Sequence, residues 1–172
     1  MKSKTLLIVP LAVLALSIVA SVRAAPTWYA EVQLEITGWK PIGPVPGGYQ
    51  IDVPFEGVAG GPSITEGTVE GVDHLLIDSA GVAHPNVYLT ITDKDGDKIS
   101  AYETGLTVAG RSPSQRAFED MEAKIINDLD YPTTGKYTYL IDATFRSEGF
   151  ISDFSSDPLS PHGYIHARWY WP

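Results

Sequence analysis

The chain contains no cysteine, which excludes disulfide staples, a thiolate nucleophile and a thiolate-ligated metal. Basic residues are scarce: 12 Lys and Arg stand against 21 Asp and Glu in 172 residues, a formal charge of −9. Three of those bases, Lys2, Lys4 and Arg23, fall in the first 24 residues, which hold no acid, so the remainder carries −12. Such a balance repels a phosphate backbone and argues against nucleic-acid binding through a broad basic surface. After the first 24 residues no apolar run is long enough to span a bilayer as a helix. Repeats, low-complexity tracts and linkers are also lacking, which points to one domain. Two chemical frames are missing as well. Ser112-Pro113-Ser114-Gln115 lacks the glycines of a hydrolase elbow. Gly57 to Gly61 lacks the lysine and helix that would complete a phosphate-cradling loop.

What is present begins with a leader. Met1 to Lys4 is basic, and Leu6 to Val22 is apolar apart from Ser17 and Ser21. Val22-Arg23-Ala24 places small residues where a signal peptidase reads, so residues 1–24 are expected to be a signal peptide and 25–172 the exported domain. An uncleaved anchor over Thr5 to Val22 is the alternative, disfavoured by Pro10 and the small residues after it. Either way the domain is expected outside the cytoplasm, secreted or on the cell envelope. The lack of cysteine suits a prokaryotic exterior.

With 44% apolar residues the chain can build a core. Trp28, Ala30, Val32, Leu34 and Ile36 alternate with Tyr29, Glu31, Gln33, Glu35 and Thr37, the period of a half-buried strand. Gly38 to Gly48 is rich in proline and glycine and reads as loop. Tyr49 to Phe55 alternates again. Ile64 to Ile77 reads as a long strand with bulges or sharp bends at Gly67 and Gly71. Val87 to Thr92 and Ile99 to Val108 form a hairpin across Asp93-Lys94-Asp95-Gly96-Asp97. Ser112-Pro113-Ser114-Gln115 resembles a helix start, and Phe118, Met121, Ile125 and Leu129 follow at helical spacing. That predicts one amphipathic α-helix over about 113–129. Tyr137, Tyr139, Ile141, Ala143 and Phe145 read as a strand, Ser147 to Gly163 as irregular, and Ile165 to Trp171 as the last strand. The expected fold is mainly β: a single antiparallel β-barrel of about 7–8 strands, a sandwich being the other solution, with one helix on an end or flank.

The segment Phe55 to His74 (FEGVAGGPSITEGTVEGVDH), the DKDGDKI hairpin (Asp93 to Ile99) and GKYTYL (Gly135 to Leu140) together resemble the family called domain of unknown function 3237. Gly60, Gly61, Gly67, Thr68, Val69, Gly71 and Asp73 stand where that family has its GG, G-T-V and G-x-D elements, with His74 in place of the usual aromatic. The resemblance implies a small barrel similar in architecture to allene oxide cyclases and dirigent proteins, and no particular reaction. Tyr88 and Ile141 stand where the family often has an arginine and an asparagine, so an activity that used those groups would be lacking.

Strand parity nominates the chemistry. Asp73 shares a face with Val69, Gly71, Leu75 and Ile77, and Glu103 shares one with Ile99 and Ala101. Both carboxyls are therefore expected to point into the barrel, where desolvation would make them general acids or bases. A bulge at Gly67, Gly71 or Gly105 would instead flip the parity and leave either acid in water. Tyr137, Tyr139 and Trp169 are the expected walls of an apolar ligand pocket around these candidate catalytic residues. No cofactor or metal is expected. His162 and His166 lie across a loop–strand join, where a spacing of four makes no helical zinc face. Asp93, Asp95 and Asp97 have glycine at the wrong position for a calcium loop and no closing Glu. The expected function is thus an exported barrel binding an apolar or aromatic small molecule, with acid/base catalysis as an option. The alternative is a non-catalytic extracellular filament or envelope subunit, a homo-oligomer assembled through its N-terminal strand.

Overall fold

The computed structural model describes residues 28–110, 112, 114–155 and 162–171. The expected leader, its cleavage site and Pro113 lie outside them. Ten strands form one antiparallel sheet: β1 Trp28–Ile36, β2 Lys40–Val45, β3 Gly48–Gly60, β4 Gly67–Asp78, β5 Ala83–His84, β6 Asn86–Asp93, β7 Lys98–Ala109, β8 Arg116–Ile126, β9 Thr144–Ser155 and β10 His162–Tyr170. Eight of them close on themselves in the order β3-β1-β10-β9-β8-β7-β6-β4 and back to β3. The two short extras, β2 on β3 and β5 between β4 and β7, extend one end. The barrel expected from period-two patterning is the observed fold.

Alternation sets which side faces in. Ala30, Val32, Leu34 and Ile36 of β1 are buried, whereas Glu31 and its outward neighbours Gln33 and Glu35 face away. The lumen is apolar and the outer wall charged, the reverse of a barrel embedded in lipid. β1 is hydrogen-bonded on both sides, to β10 and to β3.

Several expectations are corrected. The described residues of the expected helix, 114–129, form no α-helix; Arg116–Ile126 is strand β8, paired with β7 and β9. A register irregularity between Ala117 and Met121, with Asp120 at φ +51°, shifts the strand's parity there. Phe118 and Met121 thus acquire a spacing of three that imitates a helix, while Met121, Ala123 and Ile125 alternate as strand residues do. Leu129, the last member of the supposed stripe, is 99% exposed. Barrel closure decided the matter: without β8, β7 and β9 would each keep an unpaired edge.

The second correction concerns Tyr137 to Phe145. Gly135–Leu140 is a 3-10 helix, and β9 begins only at Thr144. Gly135 has φ +57° and packs against the Asp97 carboxylate, which accepts the Lys136 N–H at 3.1 Å. A left-handed residue next to that acceptor turns the chain before a strand can start. Of the stretch Ser147 to Gly163, read as irregular, residues 147–155 belong to β9 and 162–163 begin β10, while 156–161 lie outside the described residues. Third, β4 pairs with β3 without a register shift, so Gly67 and Gly71 are not bulges. The Phe55 ring lies against Gly71, where a Cβ would collide with it. The loop reading of Gly38 to Gly48 likewise gives way to β2, an edge strand that tolerates Pro41 and Pro44 because one side is unpaired.

Candidate functional site

The lumen has two unlike halves. Where β1 starts and β10 ends, it is packed solid by Ile64, Ile99, Ile125, Leu140, Phe145 and Trp169, each less than 2% exposed. The 3-10 helix closes this end, inserting Tyr137 and Leu140 while Tyr139 stays 69% exposed. The Tyr137 hydroxyl donates to Asp93 Oδ2 at 2.9 Å, and Lys136 Nζ lies 2.6 Å from the same oxygen. Asp93 Oδ1 accepts the backbone N–H groups of Asp95 and Asp97 at 2.8 and 3.0 Å. Despite the burial of Asp93, these partners bring its carboxyl down to about 2. The Asp-rich hairpin is thus a clasp that ties the helix to the barrel, with the buried carboxylate's oxygens already engaged.

The other half is hollow. A cavity of about 930 Å³ lies between β1, β3, β4 and β7 to β10, walled by Leu34, Ile36, Val53, Leu75, Phe118 and Ile151 among others. Asp73 and Glu103 line it at the level where the packed half begins. The register explains their meeting. Asp73 of β4 and Glu103 of β7 both pair with Val87 of the intervening β6. Two strand spacings separate their backbones by about 10 Å, and inward side chains on a curved wall converge. The irregularity near Gly105 falls between Thr104 and Leu106, after Glu103, so it leaves the inward parity of that acid intact.

Each acid has one hydrogen-bond partner among the described residues. Asp73 Oδ1 accepts the Asn86 N–H at 2.8 Å, and Glu103 Oε1 accepts the Trp169 indole N–H at 2.6 Å. Burial pushes the Glu103 carboxyl up to about 7, opposed by the Trp169 hydrogen bond and reinforced by Asp73. Burial likewise pushes Asp73 up to about 7, against the Asn86 N–H. Asp73 keeps some exposure because it faces the cavity, whereas Glu103 is only 6% exposed. Near neutrality the pair holds both protonated and ionised carboxyls, the condition for proton transfer or for switching between hydrogen-bond donor and acceptor.

The five nominated residues therefore separate. Asp73 and Glu103 stand in the cavity wall, and Trp169 lies beneath it as the donor to Glu103. Tyr137 belongs to the clasp at the far end, and Tyr139 is on the surface, its hydroxyl 3.4 Å from that of Tyr29. Neither tyrosine lines the cavity. Trp39, Arg116 and Phe118 do line it. Trp39 follows β1 in what reads as a loop, and the other two fall in the misread helix, so periodicity carried no signal for them. His166 stacks on Phe150 on the outer face, ring centroids 5.1 Å apart. Among the described residues no group of three or more His, Cys, Asp or Glu is placed to hold a metal.

No family model and no curated protein matches the chain. Solved structures do. A conserved protein of unknown function from Rhodopseudomonas palustris aligns at 14% identity with a TM-score of 0.61, covering 85% of this chain and 97% of that one. A beta-barrel like protein from Acinetobacter baumannii gives 13% and 0.62, over 85% and 94% of the two chains. A protein of unknown function from Clostridium acetobutylicum gives 15% and 0.62, over 85% and 98%. The likeness is one of fold. It extends the barrel to three bacterial proteins and carries no activity with it.

Proposed function

We propose that this chain is an exported barrel that binds an apolar or aromatic small molecule in the hollow half of its lumen, with the ligand's polar end against Asp73 and Glu103. One observation carries the reading: a cavity of about 930 Å³ with an apolar wall and two inward acids at its floor. Ligand sites for small molecules run to roughly 300–1,000 Å³ and combine apolar walls with a few convergent polar groups. Kinship with the domain of unknown function 3237 family fits the barrel and the Gly67-Thr68-Val69 and Gly71-Val72-Asp73 elements on β4. Export rests on the leader, outside the described residues.

The two carboxyls also favour a second reading on the same site, acid/base catalysis on the bound molecule. An acid and a carboxylate side by side can move a proton between two positions of one substrate without any cofactor. A filament subunit with a merely packed interior is the weaker alternative, since half of the lumen is unfilled.

The test is native mass spectrometry of the protein purified from its own cells, before and after denaturation. A bound mass of a few hundred daltons that is released on unfolding, and absent from Ala83→Trp, supports the reading; Ala83 lines the cavity. Ligand-free protein from the native source, unresponsive to a panel of apolar probes, rejects it.

A further inference from the structure

The cavity offers a ligand's polar groups an uneven set of partners. At its floor, Asp73 and Glu103 each use one oxygen for a protein donor. The second oxygen of each accepts no hydrogen bond from any described residue. The single base among the described lining residues is Arg116, towards the opposite end. Its guanidinium donates to the Gln115 carbonyl at 2.8 Å and lies 4.8 Å from the Phe154 ring centroid. Trp39 also lines this end, against Phe154, and its indole N–H is buried with no acceptor among the described residues. The floor is thus rich in acceptors.

We propose that the ligand is an apolar primary amine, seated with its ammonium between Asp73 and Glu103. The proposal rests on reading the cavity as a ligand site. An ammonium brings three donors to two carboxylates. It also supplies the countercharge without which two acids in an apolar wall cannot both ionise cheaply. A carboxylate-headed ligand meets like charge at the floor, and an alcohol brings one donor and no charge. The −12 balance of the exported part steers cations towards the molecule in the first place.

Isothermal titration with four ligands of one chain length tests this on the whole protein: decylamine, decyltrimethylammonium, decanol and decanoate. Decylamine is expected to bind at least about tenfold more tightly than decanol, a gap of about 1.4 kcal/mol, with decyltrimethylammonium between them and decanoate weakest. Glu103→Gln and Asp73→Asn should each shrink the amine-over-alcohol preference. The wild-type ranking needs no variant, so a variant that fails to fold leaves the test intact. Decanol or decanoate binding as tightly as decylamine overturns the amine proposal and leaves the cavity as a ligand site. No binding by any of the four overturns both.

Discussion

The packed and hollow halves of the lumen are built from the same eight strands, and they differ in what enters between them. One end receives Trp169, Phe145 and the two side chains that the 3-10 helix inserts, Tyr137 and Leu140. The other receives no large plug from the described residues, and its inward residues, such as Val53, Leu75 and Ile151, face a cavity. Packing makes the first half carry stability; the second can vary its contents. Asp73 and Glu103 sit at the boundary, buried enough to have their titration displaced yet facing space a ligand could fill.

The largest expected effect is in the packed half. Phe145→Ala should cost about 3–5 kcal/mol in denaturant unfolding, because the ring it removes leaves a void that its neighbours cannot close. A loss below about 1 kcal/mol would mean that this end is not close-packed. Next comes the clasp. Tyr137→Phe removes a hydrogen bond to a buried carboxylate and should cost about 1.5–3 kcal/mol, whereas Tyr139→Ala, on the surface, should stay within about 0.5 kcal/mol. Equal effects at the two tyrosines would contradict the helix that separates them. Leu75→Ala, facing the cavity, should cost less than the roughly 2–5 kcal/mol typical of a packed leucine, since it enlarges a space already present.

The remaining tests lie in pH dependence. Asp73 and Glu103 are raised from 3.8 and 4.5 to about 7. Between about pH 4 and 7 the folded chain therefore holds protons that the unfolded chain has released, and these two groups lower stability as pH rises through that window. Glu103→Gln should consequently raise the Tm at pH 8 relative to wild type and change it little at pH 4. The opposite sign would show that Glu103 is held as a carboxylate. Asp93, lowered from 3.8 to about 2, works the other way. Its contribution is present above the unfolded value and lost as pH falls towards 2, so Tyr137→Phe should flatten the acid limb of the stability profile.

The sequence pointed to a mainly β fold with an apolar interior and to an inward Asp73 and Glu103, because alternation at period two records which face of a strand meets the core; closure of the sheet decided between barrel and sandwich, and the unshifted registers of β4 and of β7 up to Thr104 decided the parity. It misled wherever alternation was interrupted. One irregularity in β8 turned Phe118 and Met121 into a false helical stripe, and a left-handed Gly135 beside Asp97 converted an aromatic alternation into a 3-10 plug. Whether the lumen would be filled was also undecided, since Tyr137 and Trp169 are as suited to lining a cavity as to plugging one. That was settled only by which side chains the closed sheet and its helix bring to the same end. Local propensity acts between residues near in sequence; the partition of one lumen into a packed and a hollow half is a balance among strands far apart in it, and exists only once the barrel has closed.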